Sequence, residues 1–270
     1  MSFKNSDIIP LYQMIAKNVG IRRSRAAFVV CTNVDLLFSD DLMEYLSNSE
    51  LRENTFYRAN RCDIPRSIDE AISVEQQLEF AKCNVLQRLG KNSLYPELSD
   101  TTGPVFALPY FGWLKSVPKK AMRFFGKRTV QDVITTIDTD ACGDFTMMSK
   151  SSWENIKGYY ELDAYSIHID SLALLCATAV GMKQKTLDKY LVTFHISHDD
   201  GWELSDPVSK LYNDIKKPKV DWSSVHALGK RMIETKELIQ VNGSDWGLYS
   251  QPLTEYVFAP GMPMQVIENG

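Results

Sequence analysis

The chain has 270 residues, 44% of them hydrophobic and 24% charged, which is enough apolar material for one sizeable core or a core with an appendage. A net charge of -4 argues against a dedicated nucleic-acid binder, which neutralises phosphates with surplus Lys and Arg. Cys31, Cys62, Cys83, Cys142 and Cys176 are odd in number, scattered and without a CxxC pair, so neither a disulfide framework nor a zinc site is expected, and a cytoplasmic location is.

The N-terminus lacks a basic start followed by a long apolar stretch, and no segment reaches the roughly 18 apolar residues that cross a bilayer. Residues 26 to 32, AAFVVCT, read as a strand buried on both faces. The polar turn Asn33-Val34-Asp35 follows, and Ser39-Asp40-Asp41 supply the cap and acidic first turn of a helix carrying Leu42, Met43, Tyr45 and Leu46. Helical spacing of Val74, Leu78, Ala81, Val85 and Leu89 predicts an amphipathic helix between Ile68 and Leu89.

An irregular insertion is expected over about 90–130, rich in Pro and Gly. Its segment from Lys115 to Arg128 alternates basic and apolar residues; the plain reading is a solvated helix face, the sharper one a peripheral membrane or diphosphate contact. Val133 to Ile137 reads as a strand, Ser151 and Glu154 as a capping box, and Gly158 as a left-handed helix stop. Asp170 is placed to cap a helix closed by Gly181, and Leu191 to Ile196 is the next strand. Residues 1–204 are expected to form the main domain, with 205–270 a helical and irregular C-terminal extension packed on it.

Three stretches, in this order, resemble glycosyltransferases of the GT-A fold: Cys31-Thr32-Asn33-Val34-Asp35; Gly143-Asp144-Phe145 through Trp153, Gly158-Tyr159-Tyr160-Glu161 and His168-Ile169-Asp170; and Leu191 to His198. The resemblance spans about residues 10 to 203 and implies an α/β, Rossmann-like mixed sheet flanked by helices. It implies transfer of a sugar from a nucleotide-sugar donor to a glycan or other hydroxyl acceptor, with inversion and with Mn²⁺ or Mg²⁺. By position, Asn33 and Asp35 fall on the donor and metal side. Asp35, His195 and His198 are the metal candidates, Asp170 the general base, and Asp144, Glu161 and Trp202 the sugar or acceptor contacts.

The chain departs from the family pattern at two motif positions: Asn33 stands where the family usually has the first aspartate of Asp-x-Asp, and Ile169 where it usually has Glu before the base. Only about thirty residues precede Asn33, too few for the family's usual base-binding strand-helix-strand unit. A non-catalytic GT-A-like module that binds a glycan or scaffolds a partner is the rival expectation. Each site residue also has a plain alternative: Asp35 a solvated loop carboxylate, Asp170 a helix cap, His195 a satisfied core histidine.

Overall fold

The computed structural model describes residues 4–6, 9, 11–89, 130–197, 218–257 and 265–267. Its helices are α1 (Gln13–Arg23), α2 (Asp40–Asn48), α3 (Val74–Cys83), α4 (Val130–Thr136), α5 (Lys150–Ile156), α6 (Ile169–Ala179) and α7 (Trp222–Thr235). The strands are β1 (Phe28–Thr32), β2 (Leu36–Phe38), β3 (Thr55–Arg58), β4 (Asn60–Ile64), β5 (Gln87–Leu89), β6 (Phe145–Ser149), β7 (Lys183–Thr186), β8 (Val192–Ile196), β9 (Glu255–Val257) and β10 (Gln265–Ile267). Two mixed sheets flanked by helices result, an α/β architecture.

The first sheet runs β1-β6-β3-β7, with β6 antiparallel to β1 and β3, and β3 parallel to β7. The second runs β2-β8-β4-β5, with β8 antiparallel to β2 and parallel to β4, and β5 antiparallel to β4. Strands β9 and β10 pair separately. Two short links carry the chain between the sheets: Asn33-Val34-Asp35 joins β1 to β2, and Ala59 alone joins β3 to β4. The seam between the sheets is therefore bordered by strand ends and short turns, where polar side chains can converge.

Helix α6 is buried on nearly every face, from Ile169 through Leu172, Leu174, Leu175 and Ala177 to Ala179, and α7 packs on it through Val225 and Met232. Helix α3 covers the second sheet, where Leu78 and Ala81 meet Cys62, Ile64, Val192 and Phe194. Among the described residues no helix is long and apolar enough to cross a membrane.

Three expected elements differ. Val133 to Thr136 forms the end of a helix, α4, not a strand, and Ile137 follows it in a bend; Val130, Ile134 and Ile137 stand at helical spacing and pack on the main core. The helix expected up to Leu89 stops at Cys83; Leu86 N then bonds Asp63 O at 2.7 Å, and the remainder pairs with β4 as β5. The cap of α5 is Ser149, whose hydroxyl accepts from Ser152 N at 3.1 Å, in place of a box built on Ser151.

One buried polar knot ties α1 to the rest. Asn18, fully buried, accepts from Tyr159 N at 2.8 Å and donates to Tyr159 O at 2.8 Å and Glu161 Oε1 at 2.9 Å. Gly158, at φ +67°, lies so close that an added Cβ would fall 2.2 Å from Asn18 Oδ1. Asn18→Ala strips these buried groups of their partner and should lower stability by about 2–4 kcal/mol in urea unfolding; a loss within experimental error would show the knot to be dispensable.

Candidate functional site

Strand pairing decides which side chains meet at the seam. In the second sheet His195 of β8 lies beside Leu36 of β2 on one side and Asp63 of β4 on the other. Side chains of directly paired residues share a face, so Asp63 and His195 project together, and Asp35 stands one residue before Leu36. His195 Nε2 is 3.2 Å from Asp35 Oδ2, and Nδ1 is 2.9 Å from Asp63 Oδ1.

The first sheet brings a second set to the same place. Thr32 at the end of β1 pairs with Phe145 at the start of β6, so the residues just outside this pair, Asn33 and Asp144, face each other. Asn33 Nδ2 donates to Asp144 Oδ1 at 2.7 Å. Arg61 bridges the two sheets, donating from Nε to Asp63 Oδ1 at 2.6 Å and from Nη1 to Asp144 Oδ2 at 2.9 Å. From α1, Gln13 and Lys17 donate to Asn33 Oδ1 at 2.7 and 2.8 Å, and Lys17 also donates to Gly143 O at 2.8 Å.

The loop carrying Gly143 and Asp144 is stitched in place from behind. Buried Arg58 donates to Asp140 O at 2.6 Å, Thr146 Oγ1 donates to Cys142 O at 2.8 Å, and Asp144 N donates to Ala141 O at 3.1 Å. Asp170 closes the cluster: a Cβ on Gly143 would lie 2.9 Å from Asp170 Oδ2 and 3.9 Å from Asn33 Nδ2. Glycine at 143 is thus what lets the Asp170 carboxylate approach the Asn33 side.

Asp170 does not occupy the cap position expected for it. His168 does, in the left-handed region at φ 64°, while Asp170 lies in the first turn and accepts from Ser171 N at 2.8 Å. Glu161 is not among the groups gathered at the seam. Its Oε1 accepts from Asn18 Nδ2 and from Gly247 N at 2.7 Å, on a flank of α1 roughly 100° around from Lys17. His198, Trp202 and the segment from Lys115 to Arg128 lie outside the described residues. Arg61 and Asp63 belong to none of the motif stretches, although their alternation with Cys62 and Ile64 is the period of a strand with one polar face.

Charge in this cluster is strongly coupled. Burial opposes a charged His195, yet hydrogen bonds to Asp35 and Asp63 outweigh it and raise the imidazole to about 9. Burial likewise pushes Asp63 up, but donation from His195, Arg61 and Gln87 wins and holds it down at about 2. Burial draws Lys17 below its ordinary value, with Asp170 and Asp144 pulling the other way.

The Asp35 Oδ2 to His195 Nε2 distance of 3.2 Å is that of a hydrogen bond between the two side chains. Asp63 on the far nitrogen matches the carboxylate that usually backs a metal-binding imidazole. Among the described residues no group of three or more His, Cys, Asp or Glu side chains is placed to share one ion, so this pair offers two protein donors. Searches of protein-family models and of curated proteins find no match to this chain.

The raised imidazole has a defined pH signature. A group whose folded pKa is above its unfolded value contributes stability that is complete below about 6.5 and disappears as pH rises through about 9. Without added metal, the His195 ring protons should therefore titrate in NMR with a midpoint near 9. The stability advantage of the wild type over His195→Gln should be larger at pH 6 than at pH 10. A midpoint at or below the ordinary histidine value would contradict this ion-pair arrangement.

Proposed function

We propose that the chain is the catalytic part of a glycosyltransferase that moves a sugar from a nucleotide-sugar donor to a hydroxyl acceptor, with inversion. The observation that carries this reading is the meeting of Asp35 and His195 at 3.2 Å, beside the paired Asn33 and Asp144 and the carboxylate of Asp170. Residues far apart in the chain converge in one place, and their chemistry is that of diphosphate departure and hydroxyl activation.

In this reading Asp35 and His195 would be the residues to hold a divalent cation, which would supply neutralisation of the charge on a departing diphosphate. Asp144, oriented by Asn33 and Arg61, accepts hydrogen bonds from sugar hydroxyls. Asp170 takes the proton of the acceptor hydroxyl as that oxygen attacks the anomeric carbon from the face opposite the phosphate. The fixed positions of these groups, set by strand register and by the stitched loop at Gly143, provide alignment without reorganisation. A second reading, a non-catalytic module of the same fold, draws on the fact that both ring nitrogens of His195 already face carboxylates, a closed network that is self-sufficient without a cation.

Two sets of variants test the roles. Asp35→Ala should abolish Mn²⁺-stimulated transfer or donor hydrolysis, measured as nucleotide release across a panel of nucleotide-sugars, while circular dichroism stays that of the wild type. Undiminished metal-stimulated release would refute the metal role. Asp170→Asn should lower kcat by about 10²–10⁴-fold with donor binding retained. Gly143→Ala, which displaces the same carboxylate without deleting it, should lower kcat by a smaller factor; wild-type turnover in Asp170→Asn would remove the base assignment.

A further inference from the structure

We propose that Gln13 and Lys17 of α1 are positioning residues that set the amide of Asn33, and that this amide presents the Asp144 carboxylate to a neutral hydroxyl ligand, so that the seam requires an amide at position 33 and not a carboxylate. This rests on reading Asp144 as the contact for sugar hydroxyls. It gives roles to two helix residues that the transfer scheme leaves unused, and it makes the departure at Asn33 a requirement of the site.

An Asn side chain carries an acceptor oxygen and a donor nitrogen, and a half-turn about its last bond exchanges them. At Asn33 the neighbours decide between the two. Lys17 Nζ, which as an ammonium only donates, is 2.8 Å from Oδ1, and Asp144 Oδ1, which as a carboxylate only accepts, is 2.7 Å from Nδ2. Turned over, the amide would set donor against donor at Lys17 and acceptor against acceptor at Asp144. Gln13 Nε2 gives the same oxygen a second hydrogen bond at 2.7 Å, and residues 13 and 17 reach it together because residues four apart share one helix face.

The result is an Asp144 carboxylate with one donor behind each oxygen: Asn33 Nδ2 at Oδ1, and Arg61 Nη1 at 2.9 Å from Oδ2. Each carboxylate oxygen accepts about two hydrogen bonds, so one acceptor site on each remains for a hydroxyl. With the side chain only 6% exposed, the direction of these sites is set by the protein donors and not by water. Lys17 also donates to Gly143 O at 2.8 Å, so one ammonium fixes both the amide and the backbone next to Asp144. An aspartate at 33 would keep the bonds from Gln13 and Lys17 but set a carboxylate oxygen where Nδ2 now lies, 2.7 Å from Asp144 Oδ1. Two carboxylates at that separation must part or share a proton, and either outcome removes the aligned acceptor.

The test uses the full chain and two readouts. In NMR of the 15N-labelled protein, the Asn33 side-chain amide is assigned by its loss in Asn33→Asp. In the wild type one of its protons should lie downfield and exchange slowly with solvent; Lys17→Met should lose this protection and Lys17→Arg should retain it. In nucleotide release across a panel of nucleotide-sugars, Asn33→Asp and Lys17→Met should each raise KM about 10-fold with a smaller change in kcat, with wild-type circular dichroism, and Lys17→Arg should recover part of the loss. If Lys17→Met does not fold, Asn33→Asp and Lys17→Arg decide. Wild-type or lower KM in Asn33→Asp overturns the requirement for an amide, and an unprotected Asn33 amide in the wild type overturns the positioning by α1; both leave the transferase reading standing. Absence of nucleotide release by the wild type across the panel removes that reading, and the role of Asp144 toward hydroxyls falls with it whatever the amide shows.

Discussion

The pairing register of β8 between β2 and β4 is the constraint on which the site depends. Side chains alternate along a strand, so a slip of one residue would turn His195 away from Asp35 and Asp63 and bring Phe194 or Ile196 into their place. The register is guarded from the opposite face. Phe194 and Val192 are buried with Cys62, Ile64, Leu78 and Ala81 beneath α3, and apolar burial of that kind far outweighs any single polar contact at the seam. Packing on one side of the second sheet therefore positions chemistry on the other.

Electrostatics then acts on what packing has assembled. Asp35, Asp63, Asp144 and Asp170 outnumber the fixed cations Lys17 and Arg61, in a setting where water is largely excluded and each interaction is stronger than in bulk solvent. Such an excess is relieved by a proton on His195, whose pKa the hydrogen bonds to Asp35 and Asp63 raise. Lys17 adds a second constraint, since its contacts with Asn33 and Gly143 O tie α1 to both the β1 turn and the loop that admits Asp170.

Much of this was legible in the residues and some was not. The apolar run ending β1, the turn Asn33 to Asp35 and the strand ending at Ile196 were readable because their patterns are strong and local. Strands β3 and β4 were hidden, since Arg58, Asn60 and Asp63 are polar residues buried by pairing across the fold, which a hydropathy pattern conceals. Val133 to Ile137 read as a strand from its β-branched content, but the stripe begun by Val130 gave the helix its buried face. Asp170 looked like a cap because an acidic residue before an apolar run usually is one; His168 holds that position, and the Asp170 carboxylate lies against Gly143 instead. Glu161 followed a motif, yet its neighbours Asn18 and Gly247 N engage it away from the seam.

The proposed transfer requires a cation and a nucleotide-sugar to bind together where Asp35, His195, Asp144 and Asp170 converge. Isothermal titration of the chain with a panel of nucleotide-sugars, in the presence of Mn²⁺ and again in its absence, tests it most directly. The account predicts that at least one nucleotide-sugar binds with Mn²⁺ and that this binding is lost without it. Identical heats with and without the metal, or no binding across the panel, would contradict it.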